Sequence, residues 1–406
     1  MATQHSKAAR RTHARPSLLL NHELRKLLGS PLLWVILLGM VVVNAGIAAL
    51  TTSDLRAPYN LASQVQQSAG HRINATLKQE VASQPASNQR QRLSQLLGEE
   101  QDPYQSYEAK RLGRNAVYAL QGDKHEQVGA FQRSMDADME AKYERLGERA
   151  QHLASTAAGQ DLYAGTATVD AHHELFEVEG RAVLWESIIV TLLIMVVLLG
   201  YERQQGVEPV LASTRTGRHL MRWKVLAGLL ISLAACCLLN IATTGMFALF
   251  LDTRGVWGSS VSSSFNQLTT AFGSEPFITW FDCTVGGYWL ANLGLELLAI
   301  AGLALLTAAI HTVVSSTMAA AGLSFLIVIA GYFVEFFAAS RGAWGLFQVL
   351  SLTPGYLILT QGSWFTGMGL QALVPMQETI SSLVALGIGA IVLGLGLHYY
   401  QKKDLL

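Results

Sequence analysis

Charge is what this chain of 406 residues has least of. Asp, Glu, Lys and Arg make up 14% of it, while half of its residues are hydrophobic. An ordinary globular domain is about 25% charged. Cysteine is scarce as well. Cys236, Cys237 and Cys283 give no disulfide framework, and the first two fall inside an apolar run, where they read as small packing residues. Catalytic signatures are missing too. No G-x-x-x-x-G-K-[ST] loop occurs, so nucleotide hydrolysis by this chain alone is not expected. Neither H-E-x-x-H, G-x-S-x-G nor a Cys-x-x-Cys pair is present, and no nucleophile–base constellation marks an enzyme. His172-His173-Glu174 offers metal-binding groups, but without a fourth ligand at a defined spacing.

What the chain does have is long apolar runs. A hydrocarbon core of about 30 Å requires roughly 20 helical residues. Six segments qualify: 32–51, 182–201, 225–251, 286–308, 317–338 and 380–400. Lipid cannot satisfy open backbone groups, so such spans must be helices. The expected fold class is therefore an all-α polytopic membrane protein with six transmembrane helices. Basic residues precede the first run as they would in a signal peptide. That run is too long, however, and no small-x-small cleavage site ends it, so it reads as a retained span.

Net charge is zero, yet the cations are unevenly placed. Lys7, Arg10, Arg11, Arg15, Arg25 and Lys26 precede the first span. Arg203, Arg215, Arg218, Arg222 and Lys224 sit between the second and third, and Lys402 and Lys403 follow the last. The intervening loops at Arg254 and Arg341 carry one arginine each. The positive-inside rule then predicts a multi-pass protein of the cell membrane with both termini and the 201–224 loop in the cytoplasm.

Four parts follow along the chain. Residues 1–31 form a cytoplasmic tail ending in SLLLNHELRKLLGS, whose leucines at helical spacing suit a helix lying in the membrane interface. Residues 32–51 are the first span. Residues 52–181 are polar and form a helical extracytoplasmic domain. The apolar repeat Val128, Phe131, Met135, Met139, Tyr143, Leu146, Ala150, Leu153 predicts one long amphipathic helix there, and Leu61, Val65, Ile73, Leu77, Val81 another. Residues 182–406 supply the remaining five spans. Within this last part 252–285 reads as a Ser/Thr-rich polar loop with an aromatic end. Residues 340–379 are too apolar for a wet loop and too broken for a span, which suggests re-entrant helices at the outer surface.

Carboxylates within spans stand out, because a charge at the bilayer centre costs about 2.5–3.5 kcal/mol or more. Glu296 lies near the middle of the fourth span, Glu186 nearer the outer end of the second and Glu335 nearer that of the fifth. Glu186 and Glu296 either face a polar translocation pathway or fix helix packing by hydrogen bonding, and the residues alone leave both open. In the last span Gly387, Ala390 and Gly394 share a face and suggest a close-packing seam.

Three stretches together resemble the permease subunits of ABC-2-type ABC transporters, in the subset with a large domain between the first two spans. NHELRKLLGSP, with Glu23, Leu24, Arg25 and Lys26, is similar to that family's interfacial elbow helix. YERQQGVEPVLASTRTGRHLMRWKVLAG is similar to its coupling loop, through Glu202, Arg203, Gly206, Leu211, Ser213, Thr214, Arg218 and Lys224. The broken segment 340–379 and the ending YYQKKDLL resemble its outer re-entrant helices and basic C-terminus. The resemblance implies an exporter subunit that binds no cofactor, with ATP and Mg held by a separate cytoplasmic ABC ATPase. Val207, Val210 and Leu211 would dock that ATPase, and Glu208 with the neighbouring charges would orient it. A second copy or a homologous permease would complete the pathway in the bilayer, and no nucleic acid is implied. A sensor or scaffold whose outer domain binds a ligand or partner is the other function class these features allow.

Overall fold

Each of the six apolar runs folds into a helix long enough to cross a bilayer, in a computed structural model that describes residues 16–99, 104, 130–207, 210, 217–270, 273–314, 316–340, 343–353, 355–367 and 374–402. Helix α1 (Pro16–Leu28) precedes α2 (Pro31–Thr51), with Pro31 opening α2 where its missing N–H costs nothing. Then come α3 (Arg56–Ala69), α4 (Ala75–Ser83), α5 (Asn88–Gly98) and α6 (Ala130–Ser155). A helical rod from Gly165 to Gln204 contains α7 (Thr168–His172), a π-helical segment (His173–Glu179) and α8 (Gly180–Gln204). After α9 (Gly217–Phe250) come strands β1 (Gln267–Thr270) and β2 (Gly273–Pro276), then α10 (Val285–Val313) and α11 (Thr317–Ser340). Two short helices, α12 (Trp344–Leu350) and α13 (Gly355–Leu359), lead to α14 (Gln377–Lys402). The protein is a mostly helical, multi-pass membrane protein.

Helix α8 is the centre of the bundle, packing against α2, α9, α10 and α11. Its apolar stretch is 67% buried, against 22% in α2. Leu32, Val35, Leu38 and Val42 of α2 are accordingly exposed, as hydrocarbon-facing residues should be. The closest helix pair is α10 with α14, and its glycines differ from the seam predicted above. A Cβ on Gly387 or Gly394 would meet nothing within 4 Å, whereas one on Gly389 would lie 3.1 Å from the Gly302 carbonyl and one on Gly396 would strike Thr312. The seam therefore runs through Gly389 and Gly396, a neighbouring stripe of α14, against Gly302 of α10.

The connections at one end of the bundle fold together. The predicted amphipathic repeat falls on α6, where Met139, Tyr143, Leu146, Ala150 and Leu153 are buried against Tyr104, Ile278 and Phe347. Val128 lies outside the described residues, as do the side chains of Phe131 and Met135. The repeat from Leu61 to Val81 is two helices rather than one. Gly70, at φ +80°, ends α3, and Asn74 starts α4 by accepting a 2.9 Å hydrogen bond from the Leu77 N–H.

The stretch 252–285 also departs from a solvated loop. Ser259, Ser262, Ser263 and Asn266 are buried, and the Asp161 carboxylate accepts from the Ser260 N–H at 2.7 Å. Tyr104 donates to the Ser262 carbonyl at 2.5 Å. Asp161, Tyr104, Gln66 and Thr279 satisfy these serines, which so form part of the domain's interior. The hairpin β1–β2 is a departure from an all-helical chain. Its antiparallel register pairs Leu268 with Glu275.

Candidate functional site

At the opposite end of the bundle, three helices meet around four charged side chains. Helix α1 lays Leu20, Leu24 and Leu27 against α8 and α9, an inward stripe at spacings of three and four. That docking turns Glu23, fully buried, and Lys26 toward the same neighbours. Glu202 ends α8 and Lys224 lies two turns into α9, both buried. Lys26 Nζ donates to Glu23 Oε1 at 2.8 Å and to Glu202 Oε1 at 3.0 Å, and sits 5.0 Å from the centre of the Tyr201 ring. Lys224 pairs with the other carboxylate oxygen of Glu202 and donates to the Leu198 carbonyl at 2.9 Å. The set holds two carboxylates and two ammonium groups, so its formal charge is zero. Burial of ions is tolerable only when each is compensated in this way.

The segment leaving α8 has a defined exit. Gly206 adopts φ +69°; its N–H donates to the Arg203 carbonyl at 3.1 Å and the Val207 N–H to the Glu202 carbonyl at 3.0 Å. This is a Schellman cap, which needs a residue in the left-handed region. Gly206 thus has a backbone role. Beyond it Val207 and Val210 are exposed, 42% and 68% respectively. Arg203 is half-buried, while Leu24 packs on the bundle and Arg25 faces outward. Glu208, Leu211, Ser213 and Thr214 lie outside the described residues, and Arg218 is described in its backbone only. Of the predicted positions, then, Glu23 and Lys26 come together with Glu202 and Lys224 in one cluster.

Glu186 and Glu296 do not meet. Glu186 Oε2 accepts from Asn44 Nδ2 at 2.8 Å, and the same amide donates to Thr243 Oγ1 at 2.9 Å, linking α2, α8 and α9. Glu296, 1% exposed, accepts from Asn240 Nδ2 at 2.7 Å and from the Cys236 thiol at 3.8 Å, linking α10 to α9. The side chain of Glu335 is not described. His172 is buried among Phe176, Phe277 and Tyr288, and His173 pairs with Glu177 at 2.9 Å. Among the described residues no group of three His, Cys, Asp or Glu side chains is arranged to hold a metal.

Sequence reasoning passed over Asn44, Asn240 and Glu179. The asparagines were visible as lone amides in apolar runs. Glu179 was hidden by its place just before the second span, among other acidic residues. There its carboxylate is 1% exposed.

The comparisons with known proteins reach part of this arrangement. Residues 218–406 match a family described as a protein of unknown function, DUF2705. That match covers less than half of the chain. It takes in Lys224 and Glu296 and leaves out α1, α2, α8 and the domain between the first two spans. No curated protein matches the chain.

Proposed function

We propose that the protein is the membrane-spanning subunit of an ATP-driven exporter, coupled through residues 201–224 to a separate cytoplasmic ATPase. The observation that carries this reading is the neutral cluster Glu23–Lys26–Glu202–Lys224. It ties a helix outside the spans to both flanks of the 201–224 segment, in which Val207 and Val210 are exposed. A segment clamped at its flanks and carrying exposed valines suits a grip that must transmit force. On this reading the cluster lies at the cytoplasmic face, and the domain formed by 52–164 with 252–284 lies outside.

α12 and α13 act here as outer re-entrant helices, and α1 as the interfacial elbow. A second copy, or a related permease, completes the translocation pathway, with the uncovered apolar faces of α2, α11 and α14 shared between that partner and lipid. ATP closure on the partner pulls on the segment and biases the bundle between two states.

The test is an affinity purification of the full chain from native membranes in mild detergent, with ATPase activity measured on the eluate. A co-eluting nucleotide-binding subunit, lost on Val210→Asp or Leu211→Asp while the chain remains folded, is the expected result. An eluate with no ATPase, and no binding when candidate ATPases are added, overturns the reading.

A further inference from the structure

A second polar feature lies inside the bundle, remote from the charged cluster and independent of the exporter reading. Where the π-helical segment enters α8, a cavity of about 20 Å³ opens between that segment, α9, α10 and residue 361. Glu179, Glu296, Asn292, Gln361, Thr243 and Thr244 supply its polar lining. No lysine or arginine lines it.

Several of the donors nearby are engaged elsewhere. Asn292 Nδ2 donates to the Tyr288 carbonyl at 2.8 Å and Gln361 Nε2 to the Phe176 carbonyl at 3.2 Å. Asn240 Nδ2 is held by Glu296, and Trp289 Nε1 donates to Thr244 Oγ1 at 2.8 Å. Several acceptors have no partner at all. Both carboxylate oxygens of Glu179, Asn292 Oδ1 and Gln361 Oε1 are buried without a hydrogen-bond partner. Those three residues are 1%, 5% and 4% exposed. Four orphaned oxygens around one void are costly at about 1–3 kcal/mol each, more for the charged ones.

The backbone is shaped to bring them there. A Cβ on Gly180 would lie 2.6 Å from Gln361 Nε2, and one on Gly362, at φ +93°, would lie 2.6 Å from Glu177 Cβ. Two glycines therefore allow Gln361 to lie directly against the π segment. Such segments interrupt an α-helix mainly where function requires it.

We propose that this cavity binds one small alkali cation of the size of Na⁺. The void holds one water-sized particle. Carboxylate, amide-carbonyl and hydroxyl oxygens are the donor set of a hard cation. Mg²⁺ is disfavoured because it dehydrates reluctantly and demands near-ideal octahedral geometry. Charge also favours a monovalent ion. One ionised and one protonated carboxyl balance a single positive charge, whereas two ionised carboxylates in an apolar bundle have no other counter-ion. A proton alone would leave the amide carbonyls unsatisfied. The titratable neighbours facing these carboxyls are Glu174 beside Glu179 and Cys236 beside Glu296.

The test uses the full-length chain in phosphatidylcholine nanodiscs. Radioactive ²²Na⁺ binding and thermal unfolding are followed as NaCl replaces choline chloride at constant ionic strength. Saturable binding of one ion per chain is expected, with a rise in unfolding temperature that choline does not give. Glu179→Gln is expected to weaken Na⁺ affinity at least tenfold and to leave unfolding in choline chloride unimpaired. If that variant does not purify, Gln361→Met removes one neutral oxygen and is expected to lower the affinity likewise. Absence of saturable ²²Na⁺ binding to the wild-type chain overturns the proposal. So does Na⁺ binding that survives both substitutions unchanged, or stability that responds to pH but to no alkali cation.

Discussion

Removing the Glu202 carboxylate should do more harm than removing either lysine it holds. Glu202 is the shared acceptor of Lys26 and Lys224. In Glu202→Gln, Lys26 keeps Glu23 and is 18% exposed, so water compensates it. Lys224 is 5% exposed in its side chain and keeps the Leu198 carbonyl, a neutral amide oxygen at 202 and the nearby Glu23 charge. Leaving one buried ion without its partner costs about 3–5 kcal/mol, and the lower end applies because neutral acceptors and the Glu23 charge remain. Lys224→Met is milder, at about 1–2 kcal/mol, because Glu202 retains Lys26. The double variant restores a neutral pair of side chains, so its cost should fall short of the sum by about 1–3 kcal/mol.

Unfolding can be followed through Cys236, which is fully buried, in a background where Cys237 and Cys283 are serine. The midpoint of thiol labelling along a denaturing-detergent titration gives each free-energy change. A Glu202→Gln cost below about 1 kcal/mol, or strict additivity of the two substitutions, would refute the view of the cluster as a mechanical clamp.

Three further outcomes are expected. Glu296→Leu strands the Asn240 amide in the bundle and should cost about 1–3 kcal/mol, whereas Glu296→Gln keeps an acceptor and should cost less; equal costs in the labelling assay would contradict this. Gly389→Val would drive its side chain onto the Gly302 carbonyl 3.1 Å away, and overpacking of about 1–3 kcal/mol should appear, while Gly387→Val should be nearly silent; a reversed order would show that the seam is misplaced. Burial lowers the Lys142 ammonium to about 7, with Glu275 opposing that shift and Arg145 adding to it. Its folded pKa lies below its unfolded value, so the native state holds fewer protons between about pH 7 and pH 10.5, and stability should rise with pH across that window. The ceiling is a few kcal/mol. Lys142→Met should flatten the slope, and an unchanged pH profile of thermal unfolding in that variant would count against it.

The spans were legible because a 20-residue apolar run has few alternatives to a membrane helix. α6 was legible because its buried face repeats at helical spacing. Less visible was anything decided by contact between distant segments. The serines of 259–264 look like solvated loop chemistry until Asp161 and Tyr104 are brought to them from 99 and 158 residues away. Likewise Gly387 and Gly389 are equivalent in a list of residues, and only the position of α10 tells which one needs to be glycine. Glu23, Lys26, Glu202 and Lys224 could be picked out one by one from their surroundings, but nothing local says that they touch.

The placement of polar groups along α9 connects these observations. Lys224 joins α9 to the end of α8, Asn240 joins it to Glu296 of α10, and Thr243 joins it to Asn44 of α2. From Lys224 to Asn240 is sixteen residues, or about 24 Å of helix. The intervening surface is apolar and packs on α2, α8 and α10. An apolar contact alone lets helices slide, since lipid is as good a partner as leucine. A buried ion pair or amide–carboxylate bond does not, because separation strands a polar group. α9 is therefore pinned at its start and again in its interior, so displacement of the 201–224 segment should move α9 as a rod and carry Glu296 with it. Spin labels at Val210 and at Leu249, both exposed, would test this by distance measurement with and without the proposed ATPase engaged. A shift at Val210 with Leu249 stationary would mean that motion is absorbed within the helix, and that the interior bonds are packing devices only.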